Sequence, residues 1–487
     1  MIQNAPKVKA GKQTLAAVPP HFYWQRLGGR VLLTNDAGCS SWLDEKDFRL
    51  LLKGGLKEGH PAFAGLAEGG FIRTRLDFNA LALKNKRKEA HLQIGPGLHI
   101  FVTTLRCNHK CLYCQSGAIS QASKGADMSW PTARRSVDFA FESPNRGITI
   151  EFQGGEPLLN WGTLEKTVRY ARKKGRETGR ELGLAVVSNF SLMTEEKAAF
   201  LIANEVSVCA SLDGPEDLHN NNRKYAEGSS YKQTVKWLKY FRKKSDNQEG
   251  EKRVFRPSAL LTVTRYSLGR HKEIIDEYAA LGMDFIFIRP LAPIGYAKNL
   301  WGKIGYSASE FVRFYRDSLD YIFELNSKGT AIKEKMAVMM LKKIVRQDDP
   351  MFVDLRCPCG AGIGQLAYDH NGDIYTCDEG RMLAWEGDEL FKAGNVFKSK
   401  YSEVMLSPAV KACAAASNLE MQPVCFRCVY KPFCGVCPVY NYEAQGSLWG
   451  SMPSNERCAT LKGIFETVFL ALRDKKKGAV LRSWVEK

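Results

Sequence analysis

The sequence predicts an α/β protein: a partial, TIM-like (β/α)6 barrel left open at one side, with an accessory region before it and a cysteine-rich domain after it. Three observations predict it. From about residue 94, short apolar runs alternate with amphipathic helical stretches, the pattern of parallel β/α units. The chain has 487 residues, too many for one ordinary domain. Its 14 cysteines are bunched: Cys107, Cys111 and Cys114 stand together, and eight more follow a spaced pattern from Cys357 to Cys458, leaving Cys39, Cys209 and Cys413 unattached.

Residues 1–93 read as the accessory region, with a hairpin at 30–33 turning at Asn35-Asp36 and a short helix at 45–52. The first 20 residues carry early lysines but no apolar core of secretory-signal length, and no later segment approaches a membrane span. A cytoplasmic protein is expected. The barrel occupies 94–305, with strands GLHIFVTTL, ITIEFQ, LGLAVVSN, VSVCASL, PSALLTVT and DFIFIRPL. Helices fall between them at 131–141, 164–174, 195–203, 231–241 and 271–280. In the second, Leu164, Val168 and Ala171 share one face while Lys166, Arg169 and Lys173 point elsewhere. Two linking helices at 308–325 and 332–344 fill residues 306–350. Residues 351–466, rich in cysteine, glycine and turns, read as a small domain organised by metal rather than by a large apolar core. The tail, 467–487, is basic around Lys475-Lys476-Lys477.

With 44% hydrophobic and 25% charged residues, the chain reads as soluble and globular. Its net charge of +18 suits an acidic partner, nucleic acid or acidic peptide, but equally a well-solvated surface. Basic runs such as Arg172-Lys173-Lys174 and Arg242-Lys243-Lys244 end predicted helices, where cations also suit the helix dipole. Charge alone does not name the partner.

In a reducing compartment so many thiols are metal ligands rather than disulfides. Cys107-x3-Cys111-x2-Cys114 follows the first barrel strand, and a tight loop of that spacing lets three thiolates converge on one iron–sulfur cluster with no fourth cysteine to close it. Zinc would want a fourth ligand, which His109 supplies only by turning inward within its own loop. With an aromatic residue, Tyr113, before the last cysteine, the motif resembles the signature of the radical S-adenosylmethionine (SAM) superfamily. The resemblance implies a [4Fe–4S] cluster whose open iron is chelated by SAM, and reductive cleavage of SAM to a 5′-deoxyadenosyl radical that abstracts a substrate hydrogen.

Later strand ends extend the resemblance. Gly154-Gly155-Glu156-Pro157 ends the second strand; paired glycines permit close backbone approach and a carboxylate beside them accepts from an ammonium group. It matches the family's GGEP motif, which gives Glu156 the SAM amino group. Ser188-Asn189 and Ser211-Leu212-Asp213-Gly214-Pro215, followed by Arg223, resemble segments near the SAM ribose and carboxylate. Ser188, Ser211 and Arg223 are therefore SAM candidates, with capping and turn roles as the alternative. Phe190 stands where that family usually has glycine, and Arg289, ending the sixth strand, is a further candidate.

The later cysteines are Cys357-x-Cys359, Cys377, Cys425-x2-Cys428-x5-Cys434-x2-Cys437 and Cys458. Eight thiolates make two four-cysteine sites, for two clusters or for structural zinc. Beside such a barrel they resemble a SPASM domain with two auxiliary [4Fe–4S] clusters. By that resemblance Cys357, Cys359, Cys377 and Cys437 hold the first and Cys425, Cys428, Cys434 and Cys458 the second. The spacing is compressed at the first and last pairs, so either site could be incomplete. Asp378, directly after Cys377, resembles the catalytic proton acceptor of anaerobic sulfatase maturases, with a turn role as the alternative.

The opening HFYWQRLGGRVLLTNDAG, continuing to DFRLLLKGGL, resembles the B-type maturase of the His-Xaa-Ser peptide system. That implies a precursor-peptide substrate, a reduced flavodoxin or ferredoxin-type electron donor and a companion maturase; the short sheet and helix of the accessory region suit docking of a peptide as an added strand or, equally, structural packing against the barrel. No membrane is implied. No RNA module is recognisable, so nucleic acid is not the expected partner. Sulfatase maturation is the nearest competing enzyme reading. A non-enzymatic iron–sulfur electron carrier is the competitor from another class, and it would leave Gly154-Gly155-Glu156 without a purpose.

Overall fold

The structure, a computed structural model, describes residues 19–247 and 254–486. The sequence reading of residues 1–18 lies outside them. Among the described residues no helix is long and apolar enough to cross a membrane.

Six barrel strands form where the apolar runs predict them. Leu98–Thr104, Gly147–Gly154, Glu181–Ser188, Val206–Ser211, Ser258–Thr262 and Ile288–Arg289 lie side by side in that order, all parallel. The helices Glu195–Ala203 and His271–Ala280 take the predicted bounds. Trp161–Thr178 runs longer, until Gly179 adopts the left-handed conformation that ends a helix at low cost. The sixth apolar run splits. Its first half, Phe285–Ile286, pairs with Lys333–Glu334 instead. Glu334 explains the exchange: fully buried, its carboxylate accepts Ile288 N–H at 3.2 Å, Tyr315 Oη at 2.7 Å and the first N–H groups of helix Lys335–Ile344.

The sheet does not stop at the barrel. Gln365–Tyr368 joins the free side of Leu98–Thr104 in parallel, and Asp373–Tyr375 and Lys392–Asn395 continue it antiparallel, giving nine strands. Across the junction the rings of Phe101 and Tyr368 meet at 4.9 Å, and Tyr368 Oη lies 2.9 Å from His99 Nδ1. Leu366, Tyr368, Ile374 and Val396 share the barrel's apolar core. Residues 365–396 of the expected 351–466 unit thus extend the barrel's sheet and core rather than build a large core of their own. Only the part that carries the cysteines has the loop-rich character that composition suggested.

The accessory region is a three-stranded antiparallel sheet, Tyr23–Leu27, Arg30–Thr34 and Ser40–Leu43, with helix Glu45–Leu52 at the predicted place. Its first hairpin turns on Gly28 and Gly29, both at positive φ as a tight two-residue turn requires. It packs on the cysteine-rich part: Thr34 Oγ1 donates to Val429 O at 2.6 Å, and buried Lys431 pairs with Asp36 at 3.0 Å.

Candidate active site

Two short ladders strap the first cysteine loop. Arg106–Cys107 pairs with Ile119–Ser120, and His109–Cys111 pairs with Arg223–Tyr225, so that Cys111 lies opposite Arg223. Arg106 is itself fixed by a bidentate ion pair to Asp127, at 2.8 and 2.6 Å. The three thiols stay half-buried. Burial, and after it the proximity of Cys111 and Glu156, pushes the Cys107 thiol far up.

Gly154 and Gly155 serve a structural purpose beside the expected one. The backbone they let close is the loop's own: Gly155 N–H donates to Thr104 O and Glu156 N–H to Arg106 O, each at 2.8 Å. A Cβ on Gly154 would stand 2.2 Å from Thr104 O, and one on Gly155 2.2 Å from Arg106 O. Only glycine allows the second strand to lock the cysteine loop this tightly.

Glu156 is almost fully buried. Its carboxylate accepts Leu158 N–H at 3.0 Å, Ser188 Oγ at 2.8 Å and Asn189 N–H at 2.8 Å. All three donors are neutral, and burial raises the carboxyl above its usual range. Such a group is matched by a cation arriving from the cavity it lines. Asn189, which the sequence reading passed over as a side chain, thus holds Glu156 through its backbone and the loop through Asn108, at 3.1 Å.

Cys107, Cys111, Tyr113, Cys114, Gly154, Gly155, Glu156, Ser188, Ser211 and Arg223 all line one cavity of about 190 Å³ at the strand ends, with Arg289 and Thr262 on the far wall. Tyr113 and Arg223 reach it as one unit. Asp213, fully buried, takes a 3.1 Å ion pair from Arg223 Nε and a 2.5 Å hydrogen bond from Tyr113 Oη, and the guanidinium lies 5.2 Å over the tyrosine ring. Asp213 lies within the Ser211–Pro215 segment singled out in the sequence, but its role under Tyr113 and Arg223 shows only in its burial and partners. His109 turns away from the loop. Its Nε2 meets Ser230 Oγ at 2.9 Å, its Nδ1 meets Asn189 Nδ2 at 2.9 Å, and the ring stacks on Tyr225 at 4.5 Å. Burial holds it neutral, with its pKa near 3. It does not offer a fourth ligand here.

A second cavity of about 90 Å³ shares Gln115, Arg289 and Pro290 with the first and extends to Glu379, Cys437 and Tyr440. Asp378 is at neither wall. It accepts Arg381 Nε at 2.8 Å, and Arg381 reaches on to Ser116 O at 3.4 Å. Arg289 faces Glu379 at 3.9 Å.

The later cysteines fall into two groups. Cys425, Cys428, Cys434 and Cys458 surround a small cavity of about 30 Å³, whose lining Cys437 also reaches. Cys359, Cys377 and Cys437 gather beside Phe391 and Leu383. Cys357 is not with them; it packs with Cys425, Cys434 and Cys458, its Sγ taking Leu419 N–H at 3.3 Å. Among the described residues no three His, Cys, Asp or Glu side chains close on one point as ligands of a single ion would. Thiol-rich, buried to half-buried donor sets of this kind suit iron–sulfur clusters.

Residues 101–250 match the Radical SAM superfamily, so the chain carries a radical SAM domain on the barrel. It is 22% identical over 370 residues to the cysteine-type anaerobic sulfatase-maturating enzyme of Clostridium perfringens, spanning 74% of this chain and 93% of that enzyme. It is 27% identical over 177 residues to the radical SAM cyclopropyl synthase TigE of Paramaledivibacter caminithermalis, 33% of this chain and 36% of that one. Among solved structures, anSMEcpe with bound AdoMet superposes at a TM-score of 0.64 over 80% of this chain and 98% of its own, at 20% identity. Streptococcus suis SuiB bound to the precursor peptide SuiA superposes at 0.54 over 90% and 98%, at 15% identity. The α/β fold of this chain is the one those two solved structures share with it.

Proposed function

We propose that this chain is a radical SAM maturase that modifies a ribosomally made precursor peptide of the His-Xaa-Ser type. The observation that carries the reading is the single cavity in which three half-buried thiols face a buried carboxylate whose hydrogen-bond donors are all neutral. Cys107, Cys111 and Cys114 would hold three irons of a [4Fe–4S] cluster, and Glu156 would take the SAM ammonium. When bound, that pair supplies a 5′-deoxyadenosyl radical able to abstract a hydrogen. The chain's own work is placement. Asp213 holds Tyr113 and Arg223 against the loop, the paired glycines fix its height, and the buried walls exclude water. The second cavity, continuous in its lining with the first, is the place for the substrate segment, between the radical source and the later cysteines. Those cysteines would hold two auxiliary [4Fe–4S] clusters that pass electrons from the substrate. On this reading the protein is cytoplasmic, with a precursor peptide, a reduced flavodoxin or ferredoxin-type donor and a companion maturase as partners.

The likeness to a sulfatase-maturating enzyme over most of its length favours a second reading, oxidation of a sulfatase-derived peptide, in which Asp378 would accept the proton. The two separate by mass spectrometry of candidate peptides. Anaerobically reconstituted protein should cleave SAM under reduction, and joint replacement of Cys107, Cys111 and Cys114 by alanine should stop it. Cleavage at an undiminished rate in that triple variant would sink the central assignment. A mass change in a His-Xaa-Ser precursor, and none in a sulfatase peptide, is the expected outcome; the reverse overturns the substrate class.

A further inference from the structure

Order along the chain suggests Cys357 as a partner of Cys359; the packing does not. We propose that Cys413 is the fourth thiolate of the first auxiliary cluster, and that Cys357 stands outside that set as a fifth thiol beside the second. The proposal rests on the auxiliary-cluster reading above.

Cys413 sits on helix Pro408–Ala416 with no other cysteine within eleven residues on either side, so spacing offers no motif for it. In space it is fully buried in one packed group with Cys359, Cys377 and Cys437. Two bonds tie the helix to that group. Ser417, at the helix end, accepts Cys359 N–H at 2.9 Å and donates to Cys413 O at 2.6 Å. Cys413 Sγ lies 3.7 Å from Thr376 Oγ1, on the residue before Cys377. Cys413 is thus anchored beside two of the three other thiols through their immediate backbone neighbours. The third, Cys437, caps helix Pro438–Gln445, which packs against the Cys413 helix. Cys357, two residues from Cys359, faces the other way, into the group around Leu419 and Met452.

The assignment has a chemical consequence. A cube held by four thiolates has no open iron, so it carries electrons and does not bind substrate. With only Cys359, Cys377 and Cys437 as ligands the first auxiliary cluster would keep one open iron; with Cys413 it would have none.

The test uses the full chain with Cys107, Cys111 and Cys114 replaced by alanine, so that only auxiliary iron remains, about 8 atoms per chain for two clusters of four. Into it are placed Cys413→Ala, Cys413→Ser or Cys357→Ala, and iron content and the electron paramagnetic resonance of the reduced and mildly oxidised protein are read. We expect Cys413→Ala to lose one cluster or convert it to a three-iron form. Cys413→Ser, which keeps the side-chain volume, should retain iron with shifted g-values, and Cys357→Ala should match its parent. Unchanged spectra in both Cys413 variants, or conversion by Cys357→Ala instead, overturn the assignment alone. A parent with no auxiliary iron overturns it together with the reading it rests on.

Discussion

Replacing Gly155 by alanine isolates the contact that sets the cysteine loop. Gly155 has no left-handed φ, so the added methyl acts through space alone. It would stand 2.2 Å from Arg106 O and 2.7 Å from Leu105 O; ordinary contact demands a retreat of about 1 Å. Both obstacles are backbone, so no side chain can swing aside. The retreat also strains two hydrogen bonds, Gly155 N–H to Thr104 O and Glu156 N–H to Arg106 O. Overpacking at about 1–3 kcal/mol and two bonds at about 1 kcal/mol each give roughly 3–5 kcal/mol. At the lower figure this weakens cluster binding by about 150-fold, because the loop can yield locally before the domain unfolds. The assay is iron content after anaerobic reconstitution under limiting iron, read with the signal of the reduced first cluster. Gly162→Ala is the control: its methyl meets nothing within 4 Å on helix Trp161–Thr178, and helix propensity favours alanine there by up to about 1 kcal/mol. Should Gly155→Ala load iron and melt like Gly162→Ala, the packing explanation of the paired glycines is wrong.

Asp213→Asn should cost about 3–5 kcal/mol, since it leaves the Arg223 guanidinium buried beside Cys111 without its counter-charge; a thermal midpoint within a degree of the parent would contradict this. His99, fully buried and held neutral by burial with a pKa near 4 against an ordinary 6.5, makes the fold acid-sensitive. The folded state binds fewer protons than the unfolded one between those values, so its contribution is whole above pH 6.5 and falls with pH, by about 2 kcal/mol at pH 5. Denaturant titrations at pH 7.5 and 5 should show a smaller loss in His99→Gln than in the parent, and an equal loss in both would refute the assignment to His99.

Much of the site was legible because its chemistry is carried by residue type at short spacing. Cys107, Cys111, Cys114 and Glu156 announce themselves in that way, and all reach one cavity. The helices 195–203 and 271–280 were legible from local signals, a capping Thr194 and the buried Ala198 and Leu201 in the first, and the buried Ile274, Ile275 and Tyr278 in the second. Pairings made across long stretches were not. Nothing local in Gln365–Tyr368 says that it will lie beside Leu98–Thr104, and nothing near Cys413 says that it will meet Cys359. Asp213 reads as part of a turn until burial places it under Arg223. Phe190 was noted as a departure from glycine, and its backbone keeps the conformation glycine would take, φ 61°, with the ring buried against Phe241 at 5.8 Å. Packing there overrides a backbone cost of about 1–2 kcal/mol. The Gly28-Gly29 turn was the one missed signal that lay in plain view.

The strand Gln365–Tyr368 does more than lengthen a sheet. Its hydrogen bonds to Leu98–Thr104, and the apolar core the two share, make the barrel and the start of the cysteine-rich region one cooperative unit. Amides on both sides of that seam should exchange with solvent together, and a chain cut near residue 350 would bare the side of Phe101 and the edge of its strand. A shared sheet and core work against hinge opening between the two halves, so that whatever reaches the cavity passes between its loops rather than through a swinging domain.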